Sequence, residues 1–78
     1  MAVLLKRFDP EEHINRWYSV HVQPTLLDPV AVICAWGSWE TSWQQTRVLP
    51  TASVEEAEAL AEKIVIGKIK RGYQQIIE

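Results

Sequence analysis

Three of the four tryptophans of the 78-residue chain fall within the stretch WGSWETSW, residues 36–43. An indole can fill a core, stack on a base or sugar, or anchor a protein partner, because it joins a large apolar face to a single N–H donor. Cations accompany these rings. Arg47 follows the stretch, Lys63, Lys68, Lys70 and Arg71 gather toward the end of the chain, and Lys6, Arg7 and Arg16 lie near its start. Basic side chains beside aromatic rings suit phosphate and base contacts. Other chemistries find little support. Cys34, His13 and His21 have no spacing that resembles a metal-ligand set, so neither a metal nor another cofactor is expected. There is no glycine-rich phosphate loop, no carboxylate pair at a recognisable site, and no serine or cysteine with an evident base partner. A chain of this length also has little volume for a closed catalytic pocket, so a non-catalytic protein with no small-molecule substrate is the expectation.

Length and composition bound what can position these residues. A chain of 9.0 kDa with 47% hydrophobic and 23% charged residues suits one globular domain over residues 1–78, with a core of limited size. Eight basic against ten acidic residues, and a pI near 5.6, give the molecule no bulk attraction for phosphate backbones or anionic membranes. Nucleic-acid binding would need a local patch. The single cysteine, Cys34, excludes an internal disulfide and reads as a small buried hydrophobe. The apolar run AVLL precedes Lys6 and Arg7, the reverse of an export signal, and no apolar stretch has the length to span a bilayer. A cytoplasmic location follows as the expectation.

Hydrophobic periodicity supplies the elements. In FDPEEHINR, Asp9 before Pro10 followed by Glu11 and Glu12 has the pattern of a capped helical turn. RWYSVHV, residues 16–22, alternates Tyr18, Val20 and Val22 with Trp17, Ser19 and His21, which predicts a strand with the first set toward the core. QPTLLDP is a loop carrying two exposed leucines. VAVICAW, residues 30–36, is apolar throughout and predicts a strand covered on both faces. QQTRVL, residues 44–49, predicts a third strand paired with it. Beyond Pro50, Ser53 and Glu56 form a capping box. The apolar spacing of Val54, Ala57, Leu60, Ala61 and Ile64 predicts a helix over residues 54–71, with Lys68 in the middle of the apolar stripe and Lys70 away from it. Gly72 is placed to end the helix in the left-handed conformation, whereas Gly67 sits inside it. The sum is an α+β fold: a small antiparallel sheet with one long C-terminal helix packed on it.

The order FDPEEHINRWYSV, PTLLDP, AWG at a strand end, and EEAEALAEKIVIGKIKRGY resembles the WGR domain, over residues 7–73 and most closely in its short bacterial forms. The resemblance implies an antiparallel sheet with a packed helix, and a role in binding DNA ends or breaks, as the domain does within poly(ADP-ribose) polymerases. It also implies that Trp36 and Gly37 are functional, with a helix lysine at Lys68. The signature departs from the family beyond those two residues: Ser38 stands at the arginine, Trp39 at the aliphatic position, Glu40 at the second glycine, and Trp43-Gln44 at the later glycine-glutamine pair. Serine cannot replace the planar guanidinium fork.

Two functions follow. In the first, Trp36 stacks on a terminal sugar or base, with Gly37 beside it, while Arg47, Lys68, Lys70 and Arg71 hold phosphates of DNA. In the second, the scaffold has become a protein-interaction or self-association module that does not bind DNA, with Trp39 and Trp43 as its surface.

Overall fold

In the computed structural model, which describes residues 1–77, the element order is β1 (Ala2–Asp9), β2 (Ile14–Gln23), β3 (Ala31–Ser38), β4 (Gln44–Pro50), α1 (Val54–Lys70) and β5 (Gln74–Ile77). The strands form one antiparallel sheet in the order β4-β3-β2-β1-β5, with the helix on one face, so the fold is α+β. Two strands go beyond the sequence expectation. Ala2–Asp9, whose AVLL run is set above against an export signal and given no element, form β1, with Val3 and Leu5 pointing into the core. The four-residue β5 is too short to carry a period and is defined by its pairing with the far edge of β1.

The segment after Asp9 is a hairpin turn and not a helical one. Asp9 Oδ1 accepts from the backbone N–H groups of Glu11 and Glu12, as a cap would. Asp9 also pairs with Ile14, however, and His13 takes the left-handed conformation with φ 57°, which turns the chain back into β2. The capping acceptor was legible; the long-range pairing that converts the turn was not.

Register sets the core. Val3 opposes Val20, Val20 opposes Cys34, and Val22 opposes Val32, so these side chains share the face under the helix. Ala57, Ala61 and Val65 of α1 close over them, and Cys34 is buried and unpaired by any disulfide. Val54, assigned to the apolar stripe above, lies exposed at the first turn, and Val65 takes its share of the burial. The buried stripe begins one turn into the helix, with Ala57. β3 is covered by the helix on one face only: Val32 and Cys34 are buried, whereas Ile33 and Ala35 on the other face are partly exposed. Its continuous apolar run has another cause than burial between two layers.

Both ends of α1 are closed by their own sequence. Ser53 Oγ accepts from Glu56 N–H at 3.1 Å, and Glu56 Oε2 accepts from Ala52 N–H at 3.2 Å, one residue earlier than a reciprocal box would have it. At the other end Gly72, with φ +98°, donates its N–H to Ile69 O, and Tyr73 N–H donates to Lys68 O at 3.1 Å, a Schellman turn that directs the chain into β5. Gly67 has nothing within 4 Å of the position a Cβ would take, so its missing side chain serves no close approach in the fold. Gly67→Ala should therefore stabilise the protein by about 0.5–1 kcal/mol through helix propensity, read as a raised denaturation midpoint with an unchanged m-value.

Candidate functional site

The helix ends above the carboxyl half of β3, and there the sheet's inner face changes from aliphatic to aromatic and basic. Tyr18 and Trp36 are register partners, and their rings stack with centroids 5.7 Å apart and an interplanar angle of 12°. Tyr73, turned inward by the Schellman motif, meets Tyr18 edge-on at 6.3 Å. Lys68 lies over the Tyr18 ring, its Nζ 4.3 Å from the centroid, and 5.6 Å from that of Tyr73. Lys68 thus sits on the apolar stripe with its ammonium held by ring faces, as its helical phase requires.

Two clefts meet at Lys68. The first, of about 330 Å³, lies between α1 and β4 and brings Arg47, Lys63, Lys68 and Arg71 together over Tyr18, Leu49 and Ile64, with Gly67 leaving its helix side open. No carboxylate lines it, and among the described residues the one ion pair joins the Met1 amino group to Glu58, outside this cleft. The second, of about 480 Å³, lies on the other side of Lys68 and is lined by Trp36, Gly37, Ser38, Trp43, Tyr73 and Arg16, with Glu40 contributing an acid. Asn15 also lines it, and its amide Oδ1 is buried without a hydrogen-bond donor among the described residues.

The electrostatics follow from this crowding. Burial lowers the Lys68 ammonium pKa below the ordinary lysine value of 10.5, and the positive charge of Arg71 lowers it further. Burial pushes the Tyr18 hydroxyl pKa up, and the Cys34 thiol beside it adds to the shift, so Tyr18 remains a neutral ring platform. An anion entering the first cleft would relieve the repulsion that these cations impose on one another.

Gly37 owes its place to packing. A Cβ there would lie 2.5 Å from Trp43 O and 3.1 Å from the Trp17 ring, which crosses the opposite face of the sheet. Trp43 O accepts from Ser38 N–H, and Ser38 Oγ in turn accepts from Glu40 N–H at 3.1 Å, so the residue at the signature arginine position closes the loop locally. The tryptophan-glycine pair is thus one unit: Trp36 faces the cleft, and Gly37 lets the loop return close enough to form its wall.

Of the residues singled out from sequence, Arg47, Lys68 and Arg71 share the first cleft, while Trp36, Gly37 and Trp43 share the second. Lys70 is exposed on another side of the helix and lines neither. Trp39 parts from Trp43: its ring lies toward the outer face of the sheet, with Lys6 Nζ 5.9 Å from its centroid. Arg16, Lys63, Tyr18 and Tyr73 join the clefts without having been singled out as site residues. Lys63 lies five residues from Lys68, roughly 140° around the helix, so helical phase does not pair them and the cleft across to β4 brings them together; Arg16 and Tyr73 required the register and the turn.

Compared with known families, the WGR domain matches residues 1–78, the full length and more than the 7–73 resemblance, with β1 and β5 included. The chain belongs to the WGR family. A WGR domain is a binding module and not itself a catalytic one, which accords with clefts lined by rings and cations. No curated protein and no solved structure matches the chain significantly.

Gly37→Ala should cost about 2 kcal/mol or more, because the contact it creates is with backbone and not with a yielding side chain. Urea denaturation measures the loss, and a near-neutral result would mean that the loop moves freely away from β3.

Proposed function

We propose that this WGR domain binds DNA ends or breaks, with the terminal nucleotide in the Trp36 cleft and backbone phosphates along the neighbouring cations. The convergence of Arg47, Lys63, Lys68 and Arg71 without a lining carboxylate carries this reading, because an overall net charge of −2 offers no other route to phosphate affinity. Trp36 keeps one face toward Tyr18 and presents the rest of its ring to the cleft, where a sugar or base can pack. Arg16 and Lys68 flank that position, replacing as cations the arginine that Ser38 does not supply. Lys70 plays no part beyond complementing the helix dipole.

Binding of fluorescent blunt-ended and nicked duplexes across a salt series tests this. Engagement of the four cleft cations gives a slope of log K against log salt of about −3.6, and Arg47→Ala lowers its magnitude by about 1. Trp36→Ala weakens end binding by about tenfold or more while leaving the slope intact. Absence of binding at low salt, or indifference to both substitutions, rejects the reading.

The Lys68 ammonium provides a second test. Its lowered pKa means that it loses its proton at a lower pH than an ordinary lysine, and only the protonated form attracts phosphate. Affinity should fall with rising pH at alkaline values still below 10.5, and Lys68→Arg should remove that fall because a guanidinium stays charged. Titration calorimetry in that range should show proton uptake on binding by the native protein and none by the variant.

The exposed Trp39 favours a further contact, on a surface the DNA reading does not use.

A further inference from the structure

The face of the sheet opposite the helix is bare. Its side chains run in register as Ala2, His21, Ile33 and Val48, then Leu4, Ser19, Ala35 and Thr46, then Lys6, Trp17, Gly37 and Gln44. Phe8, Ile76 and Trp39 extend this surface at one end, and all three are exposed. At the other end Val48 and Pro50 meet Leu26 and Leu27, both of which are almost fully exposed. The two leucines are held out by a closed loop: Thr25 Oγ1 accepts from Leu27 and Asp28 N–H and donates to Asp28 Oδ2, while Thr25 N–H donates to Asp28 O. Such a loop presents apolar groups at little further entropic cost.

We infer that this face is the interface of a homodimer, formed by two copies stacking sheet on sheet with their helices outward. Three observations identify the occupant as a second copy. First, the isolated chain is under-buried. Its accessible surface is 5493 Å², whereas a folded monomer of 9.0 kDa exposes about 4,900 Å². Its radius of gyration is 13.2 Å against about 11.5 Å for a compact chain of this length. Its largest fully buried side chains are Leu5, Val20, Val32 and Cys34, so every ring of the chain remains outside the fully buried core. A second copy carries the same deficit on the same face, so stacking the two faces reduces both at once. Second, the area suffices. The molecule measures 42 × 25 × 16 Å, and its broad side offers about 1,000 Å² in plan, compared with about 800 Å² per partner in a stable interface. Third, charge permits it. None of the strand residues on this face is a carboxylate, and Asp28 beside the two leucines already accepts from Thr25 Oγ1, so two copies meet with little acid repulsion despite their net charge of −2. Lys6, the only strong base there, already rests its Nζ over its own Phe8 and Trp39 rings, at 5.4 and 5.9 Å.

The geometry explains why Trp39 and Trp43 part company. Trp39 belongs to the dimer face, whereas Trp43 belongs to the Trp36 cleft on the helix side, so dimerisation leaves both clefts open.

Sedimentation equilibrium of the full chain over about two decades of concentration tests the inference, with thermal unfolding followed over the same range. The expected result is twice the monomer mass at the upper concentrations and a midpoint that rises with concentration. Val48→Lys and Trp39→Ser, both at exposed positions, should each raise the dimer dissociation constant about tenfold or more. Arg47→Ala on the helix side should leave it unchanged. A monomer at every concentration, which leaves the face to a foreign protein, overturns the inference. A dimer indifferent to both face substitutions, as pairing through the β4 edge would give, overturns it equally. Circular dichroism of each variant separates loss of association from loss of folding, and if Val48→Lys unfolds, the loop substitution Trp39→Ser decides alone.

Discussion

A single helix covers a five-stranded sheet, and the closeness of its approach governs the rest of the molecule. Ala57 and Ala61 have no exposed surface, and their small side chains let the helix backbone settle onto Val20 and Val32. Burying each valine or leucine in this layer contributes about 1.5–3 kcal/mol, a substantial share of the stability of so short a chain. One helix can cover one face only. The protein therefore has a sealed side, an open side, and a helix end at which the seal stops.

That helix end gathers the rings and cations of both clefts. Lys68 lies on the same stripe as Ala57, Ala61 and Val65, so the packing that buries the alanines also carries its ammonium over Tyr18. The Schellman turn brings Tyr73 to the same ring and starts β5, joining the shape of the cleft to the closure of the sheet. Arg47 arrives from the edge strand, opposite the buried Cys34. Four cations are held together where the ordinary tendency is to disperse them, and each adds to the electrostatic cost of the others.

The signature loop shows how a family motif can be rewritten without loss of its frame. Gly37 is required by the approach of Trp43 O and Trp17, constraints that Ser38 and Glu40 do not disturb. Ser38 exchanges a charged fork for a local hydrogen bond within the turn. The cations that line the Trp36 cleft come from β2 and α1, as Arg16 and Lys68.

Much of the framework was legible in the residues themselves. The capped start of α1, its Gly72 stop, the place of Lys68 on its stripe, and the inward set Tyr18, Val20 and Val22 all rest on local rules of hydrogen bonding, backbone sterics and side-chain period. What lay beyond reach depended on partners distant in the chain. β5 is a strand because β1 offers an edge, residues 10–13 turn into a hairpin because Asp9 meets Ile14, and Arg16 reaches Trp36 through the register of β2 and β3. The apolar run of β3 suggested two covering layers, since composition reports only that a residue is apolar. Which face receives the helix and which stays open is decided by packing among elements, and only the tertiary structure contains that decision.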